Sequence, residues 1–583
     1  MKTRRAVSLL LACLLISVQA DDSRAQNFER YKPLTVPPHA AQQTMRPDEL
    51  PAVEGSDRQL LESLDAVVIL DHNDKVQPDQ ANAELTGIHY DFDARSSLVY
   101  SRGLTQIVDR YLGGPVTLRN LNQLARDIIL YYRRCGQPVV DVIIPEQKIT
   151  GGTVQLVVVE SRVGRIRVEG GCYFDPCDMG KWIGCTRRGS RIYESAIATD
   201  LFWLNQNPFR KVDVDLRPGE ADGTTDVIFE MTDVRPINAY LGYEDTGVRS
   251  LMLERLYAGV MWGNAFGRDA TLSYQYTADA DFAHLHAHAA FYSEPLNRDW
   301  SFQTYGSWAG VDPVLTGGLS QGGESWQAGV GLTRHLIKNR CRDISGSFGF
   351  DFKSTNNNLE FGGVNVQNSD ADLAQLRVGL RGINRMANRQ YSLWSVDTFI
   401  GPGGGFTSNA NTAAMNTIRA GTSPDYIYAR GRLERMWDLP SGWDFVARGT
   451  GQITSERLLF SETLGFGGFD SVRGYDQRVF SGDSGWITNF ELGPEPWRWG
   501  CGDRCHTLRV YGLFDAGEAY VEDPLVGERT DEFLISLGAG LRWKVGDRTN
   551  LRVDYAHGFE AVGGAATRDR IHLGFVSLFG PRP

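Results

Sequence analysis

From Ile237 onward the hydrophobic positions recur with a period of two. In "DEFLISLGAGLRW", Phe533, Ile535, Leu537, Ala539, Leu541 and Trp543 share one face, while Glu532, Ser536, Gly538, Gly540 and Arg542 share the other. "NLRVDYAHGF" sets Leu551, Val553 and Tyr555 against Asn550, Arg552 and Asp554, and "HLHAHAAFY" sets Leu285, Ala287, Ala289 and Phe291 against His284, His286 and His288. Alternation in segments of about ten residues is what a strand needs when one side meets lipid and the other a wet lumen. About sixteen such segments fit between Ile237 and Phe579, an even number, as a barrel with both ends on one side of the membrane requires. Connections such as "MANRQ" and "LPSG" are short, whereas residues 401–422 and 460–484 are long. Short turns on one side and long loops on the other follow the same rule. A soluble sandwich would show similar alternation, but its outer faces would need fewer glycines than the 64 present. The pattern predicts a membrane β-barrel over residues 236–583, its strands antiparallel and all their backbone groups paired by closure.

Between Leu64 and Val234 the period changes. "TLRNLNQLARDIILYYRRCG" carries Leu118, Leu121, Leu124, Ile128 and Tyr132 on one helical face, with Thr117 as N-cap and Gly136 as stop. The strands "PVVDVIIP" and "TVQLVVVE" follow. The order then recurs as strand "RVGRIRVEG", helix "YESAIATDLFWLNQNP" and strands "KVDVDLRPG" and "TTDVIFEMTD". Two tandem α+β units are expected, residues 64–160 and 161–235, each burying one sheet face under helices and leaving a sheet edge open. Ahead of them, residues 21–63 hold prolines at 33, 37, 38, 47 and 51 and read as an extended tether.

Lys2, Arg4 and Arg5, an apolar stretch and small residues before Asp21 make residues 1–20 a secretory signal cut after Ala20. That stretch is too short to span a membrane as a helix, and no later one supplies a span. A net charge of −11, from 60 basic and 71 acidic residues, argues against nucleic acid as a partner. The exported chain keeps seven cysteines: Cys135, Cys172, Cys177, Cys185, Cys341, Cys501 and Cys505. Cys501 and Cys505 bracket "GDR" and are candidates for a small disulfide in an oxidising compartment. No metal site or cofactor is expected, since His506 beside that pair is one ligand only.

Three stretches invite a chemical reading. "GDSG" at Gly482–Gly485 resembles a serine-protease nucleophile, yet Trp486 follows it and no segment supplies the histidine base. His284, His286 and His288 could hold a metal; without nearby carboxylates they read as polar residues on the lumen side. "VRGY", Val472 to Tyr475, lies in a long loop, and "FDAG", Phe514 to Gly517, lies in a strand whose Arg509, Tyr511, Leu513 and Asp515 face inward. Arg473 and Asp515 can therefore meet inside the barrel. A contact pair there is worth about 4 kcal/mol before desolvation at an effective dielectric near 20, with bidentate geometry added. Gly474 lets the chain turn and Tyr475 packs on the wall.

Paired "VRGY" and "FDAG" after two strand-and-helix units resemble the two-partner secretion translocators of the ShlB/FhaC/HecB family, over nearly all of the exported chain. The stretch "GQPVVDVIIPEQKITGGTVQLVVVE" is similar to the first polypeptide-transport-associated (POTRA) domain of that family at Gly136, Pro145, Gln147, Gly151, Gly152 and Glu160. The resemblance implies a sixteen-stranded outer-membrane barrel, two periplasmic POTRA domains and a sixth outer loop, residues 458–484, folded back inside. Val472, Arg473, Gly474, Tyr475, Phe514, Asp515 and Gly517 would then lock that loop. Val139, Val140, Val142, Ile144, Gln147, Gly151 and Gly152 would meet a secreted, β-helical partner polypeptide that crosses unfolded through a monomeric pore set in outer-membrane lipid. No enzymatic step is implied. An insertion factor for other barrels, or a surface receptor or porin, are the alternatives. The chain departs from the family in its "SLFGPRP" end, in lacking a clear amphipathic N-terminal helix, and in Cys172, Cys177 and Cys185.

Overall fold

The computed structural model describes residues 32–34, 53–78, 85–93, 96–149, 151–248, 251–312, 319–339, 341–356, 358–361, 364–367, 369–386, 389–500, 505–562 and 569–581. The expected signal and the Cys501 half of the expected disulfide lie outside the described residues. The chain forms two compact units, Pro38–Asp233 and a second one from Val234 onward that includes Lys32–Leu34.

The first half of the first unit is built on β1 Ala66–Leu70, β2 Gly87–Asp91, α1 Arg102–Val108, α2 Leu118–Arg134, β3 Val140–Ile143 and β4 Thr153–Glu160. Its sheet runs β2-β1-β4-β3, so β3 is an edge. Thr117 caps α2 by accepting from the Asn120 amide at 3.0 Å, and Gly136 ends it at φ +78°. Leu121, Leu124, Ile128 and Tyr132 pack against Val67, Ile69, Val154, Leu156 and Val158. Leu118, expected on that face, stays exposed in the first turn.

The unit continues with β5 Arg162–Gly170, α3 Glu194–Leu204, β6 Arg210–Pro218 and β7 Thr224–Asp233, in sheet order β5-β7-β6. The cysteine-bearing segment between β5 and α3 is organised by two carboxylates. Asp233 accepts the amides of Cys172, Tyr173 and Phe174 at 2.8, 2.8 and 2.9 Å. Asp200, fully buried on α3, accepts those of Gly184, Cys185 and Thr186 at 3.1, 3.0 and 2.7 Å. Among the described residues Cys135, Cys172, Cys177, Cys341 and Cys505 carry free thiols. The two sheets are tied by Glu160, which meets Arg191 at 2.6 Å and accepts the Tyr132 hydroxyl at 2.8 Å.

The second unit is a closed barrel of sixteen antiparallel strands. They are β8 Ile237–Glu244, β9 Arg255–Ala265, β10 Ala270–Asp279, β11 Leu285–Pro295, β12 Trp300–Val311, β13 Leu319–Lys338, β14 Arg342–Asn356 and β15 Asp370–Arg385. The other half is β16 Tyr391–Pro402, β17 Asp425–Leu439, β18 Trp443–Thr454, β19 Ser484–Pro494, β20 His506–Tyr520, β21 Asp531–Val545, β22 Thr549–Gly558 and β23 Asp569–Phe579. β23 closes on β8 through the pairs Ala239–Phe579 to Glu244–Gly574. Leu241, Val330, Val378, Ile427, Val510 and Leu537 point outward and are exposed, whereas Ser273, Asp351, Asp515 and Asp554 are buried inside. The apolar-out, polar-in alternation therefore holds around most of the wall.

β11 reverses it. Ala289 pairs with Gln275 and Ser307, and this face is buried with Leu285, Ala287, Tyr305 and Phe291. His288 pairs with Tyr276 and Trp308, and Trp308 with Trp326, on the outer face. His286 and His288 hydrogen-bond the Tyr276 and Tyr274 hydroxyls at 2.6 and 2.7 Å. The expectation of lumen-side histidines is corrected here. Alanines are small enough for a crowded lumen, while imidazoles satisfied by tyrosines suit an aromatic girdle at the membrane boundary.

The expected tether is also more than a connection. Pro33 is buried, the Leu34 amide donates to the inward Tyr240 hydroxyl at 3.0 Å, and Lys32 lies 5.7 Å from the Phe291 ring. Lys32–Leu34 thus runs along the inner wall.

Asp200→Ala should destabilise the segment between β5 and α3 by about 1–3 kcal/mol, the cost of leaving buried amides unsatisfied. Limited proteolysis should then cut residues 171–190 first, with the barrel undisturbed.

Candidate functional site

Between β18 and β19 the loop of residues 455–483 folds into the barrel. Leu464–Phe466 pairs with Phe480–Gly482 to make a short ribbon, which carries "VRGY" at its tip. Val472 is buried with Leu464, Phe466, Ile487, Ala519 and Leu534, so apolar contact with the wall seats the tip. Gly474 has φ +101°, and a Cβ there would stand 2.9 Å from the Gly558 amide nitrogen. Only glycine satisfies both demands. Tyr475 donates its hydroxyl to the Ile535 carbonyl at 3.0 Å and accepts the Glu560 amide at 3.0 Å.

The turn delivers Arg473 to a nest of carboxylates. Its Nε and Nη2 donate to Asp515 Oδ2 and Oδ1 at 2.8 and 2.7 Å, and its own amide donates to Oδ2 at 3.0 Å. Asn489 Nδ2 adds a fourth donor to Asp515 at 2.8 Å. Nη1 faces Glu491 at 3.1 Å and Asp554 at 3.4 Å. Arg473 is 2% exposed and the three carboxylates 0%, so no solvent screens these charges. Burial at this depth is tolerable only because every charge is paired and hydrogen-bonded.

Glu491, on β19, is the hub. Besides Arg473 it meets Arg448 of β18 at 2.9 Å, Arg509 of β20 at 2.7 Å and Arg542 of β21 at 3.4 Å. Arg542 and Arg552 also hold Asp554, at 2.9 and 2.8 Å, while Arg509 reaches Asp444 at 2.7 Å and Arg448 reaches Glu434 at 2.9 Å. The loop tip is thus one cation in a lattice of alternating charge that joins β17 to β22. A cavity of about 620 Å³ remains beside it, lined by Arg432, Glu434, Arg448, Arg473, Arg542 and Arg552.

Of the residues expected to form the lock, Val472, Arg473, Gly474, Tyr475, Asp515 and Gly517 converge. Gly517 makes room for the loop, since a Cβ there would meet the Phe466 ring at 3.1 Å. Phe514 does not join them; its ring is on the outer wall, stacked on Phe490 at 6.2 Å. Glu491 and its pairing with Arg448, Arg473, Arg509 and Arg542 escaped the sequence reading, although parity along "WITNFELGP" puts Ile487, Asn489 and Glu491 on one side.

The "GDSG" motif is a junction of loops. Asp483 is fully buried and accepts Arg419 Nη2 at 2.9 Å, the Leu458 amide at 2.9 Å and the Glu522 amide at 3.0 Å. The Ser484 hydroxyl donates to Glu522 at 3.0 Å and accepts the Thr454 amide at 3.2 Å. Its partners are a carboxylate and the Thr454 backbone, whose carbonyl lies at 3.3 Å.

In the first unit, Val140, Val142 and Ile144 turn into or against the core, and Val139 is half-buried. Gln147 brackets the Gln155 backbone at 2.8 and 2.9 Å. Gly152 is buried at φ +70°, and Gly151 is exposed. What β3 leaves at the surface is its backbone edge and the Asp141 and Ile143 side chains.

Residues 223–543 match the family of haemolysin secretion/activation proteins ShlB/FhaC/HecB, and residues 85–161 match the ShlB-type POTRA domain. The chain belongs to the ShlB/FhaC/HecB family. It is similar to the heme/hemopexin transporter protein HuxB of Haemophilus influenzae, 22% identical over 69% of this chain and 70% of that one. Among solved structures it resembles CdiB from Escherichia coli, with a TM-score of 0.62 at 18% identity, covering 99% of this chain and 97% of that one. BamA from Haemophilus ducreyi lacking POTRA domains 1–3 shares the fold with a TM-score of 0.53 at 14% identity, covering 84% and 98%. Family membership makes this an outer-membrane secretion protein with its POTRA units in the periplasm, serving a partner exoprotein.

Glu491→Gln keeps the shape of the hub and removes its charge, leaving four guanidinium groups short of a partner. A broken buried pair costs about 3–5 kcal/mol, so Arg473 should become a trypsin site in a barrel that still migrates as folded on unheated gels. Continued protection would show that Asp515 alone holds the tip.

A second expectation concerns acid. Arg457 lies 2.6 Å from Glu528 of the neighbouring loop. Its hydrogen bond, helped by the Leu525 amide, pulls Glu528 down to about 2. A depressed carboxylate contributes its stability fully above its unfolded value of about 4.3 and loses it as pH falls towards 2. Loop fluctuations seen as current noise in planar bilayers should therefore stay constant from neutral pH down to about 4. Glu528→Gln should raise them already at neutral pH.

Proposed function

We propose that the chain captures an unfolded partner exoprotein at its periplasmic sheet edges and passes it through the barrel once loop 455–483 has left the lumen. The observation that carries this is the position of Arg473: the loop occupies the path, and a hydrogen-bonded ionic lock holds it there. Such a lock is specific in one geometry and reversible in water, because each separated charge regains its hydration.

Capture would use backbone. β3 is an edge strand whose Val140 and Val142 are already committed to the core, so an incoming extended segment finds main-chain donors and acceptors first, with Asp141 and Ile143 beside them. A β-helical exoprotein suits this chemistry, since it is rich in strand-forming segments while unfolded. Folding outside the cell would bias movement outward and remove any need for a nucleotide. The barrel closes on itself, and a single copy in lipid forms the pore. No catalytic step is required.

Arg473→Ala tests the reading. The barrel should insert at normal levels and shift on heating, while export of the partner falls at least about tenfold. Normal export from that variant would take the loop out of the mechanism.

A further inference from the structure

The same loop is fixed a second time, at its root. Glu462 lies between the end of β18 and the ribbon. It is fully buried and receives Lys353 Nζ on Oε1 and Oε2 at 2.7 and 2.9 Å. The Tyr428 hydroxyl donates to Oε2 at 2.6 Å. The Glu462 carbonyl accepts Gln452 Nε2 at 2.9 Å and Arg430 Nη2 at 3.3 Å. Lys353 sits on β14, the seventh strand of the barrel, and Asp515, the bidentate partner of Arg473, on β20, the thirteenth. Six positions in the strand order separate them, so the two anchors hold the loop to separate parts of the wall. Between them the loop is fixed at two points.

The two anchors differ in kind. Around Arg473 many charges share the load. Around Lys353 and Glu462 the further charges are fewer, Asp351 and Arg430, and the Tyr428 partner belongs to an apolar cluster with Leu373, Phe399, Tyr426, Leu458 and Leu459, Phe399 stacked on it at 4.6 Å. A fully buried ion pair of this kind is a poor source of stability, because desolvation offsets most of the attraction and an apolar pair of equal shape would hold as well. It is a good source of position: either charge alone is intolerable while the site is dry. It also releases cleanly, since water entering the lumen solvates both ends. A packed apolar contact would resist separation in water instead.

We infer that Lys353 is a positioning residue for export: with Glu462 it latches the root of the loop to β14, apart from the Arg473 lock, and both must open before a polypeptide can pass. The inference rests on the export reading above.

The test uses the full-length protein, with channel openings recorded in planar bilayers and export measured in cells. Lys353→Met keeps the length of the side chain and removes its charge; openings should rise about tenfold in a barrel that still shifts on heating. Lys353→Arg should behave as the unaltered chain. Exchanging the charges, Lys353→Glu with Glu462→Lys, should return the quiet state that either single change disturbs, an outcome that mere packing would not give. If Lys353→Met fails to insert, Glu462→Gln, which keeps the partner of Tyr428, carries the same expectation. Openings unchanged in the inserted neutral variant while Arg473→Ala alters them would overturn the latch and leave the export reading standing. A charge exchange that inserts but stays as leaky as the single variants would overturn it too. If neither Lys353→Met nor Arg473→Ala alters conductance or export, the latch falls together with the loop mechanism.

Discussion

A guanidinium group held out of water dictates much of what this barrel contains. Arg473 cannot lie in the lumen unless carboxylates surround it, and those carboxylates cannot be buried unless further cations balance them. The lattice therefore spreads from Asp515 to Glu491 and Asp554, and from these to Arg448, Arg509, Arg542 and Arg552. Strands that supply such residues must keep register, because a slip by one position would turn every inward charge into lipid. Closure of the barrel and placement of the loop are in this sense one problem.

Much of this was legible in the alternation. Arg542, Arg552 and Asp554 sit on the polar face of their strands in any period-two reading, and the structure puts all three inside. Their partners were not legible, because which inward residues meet depends on strand stagger and on a loop arriving from elsewhere. Arg473 and Asp515 could be paired only because "VRGY" and "FDAG" are recurring words; Glu491 sits in no such word. Parity also says nothing about which face is which when both could serve. In β11 alanines alternate with histidines, and neither apolar content nor charge decides the side. Crowding from Tyr305 and Phe291 inside, and tyrosine hydroxyls outside, decided it. In the periplasmic unit, helix α2 and strands β3 to β7 carry strong periods and caps, whereas β1 takes its place from pairing with β4 and β2 from pairing with β1.

The outer end of the barrel behaves as one piece for a reason hidden in an apparent catalytic motif. Asp483 of "GDSG" joins Arg419 from the preceding outer loop, Leu458 at the start of the inward loop and Glu522 from the following one. Arg457 adds the Ala420 carbonyl on one side and Glu528 on the other. Three loops that would otherwise fluctuate separately share two buried or half-buried charges. A shift of the inward loop must then be felt by its neighbours, which surround the exit.

Opening is consequently a matter of where water goes. Dry, the Arg473 lattice and the Lys353–Glu462 pair each admit one arrangement, and the loop stays where they put it. A polypeptide entering from the periplasm brings backbone amides and water into the cavity beside Arg432 and Arg448. Raising the local dielectric weakens every pair in the lattice at once, while the apolar seat of Val472 keeps its full strength in water. The ionic contacts are therefore the ones that yield first. The Val472 seat, beneath the glycine turn at Gly474, is what the advancing chain has to displace last.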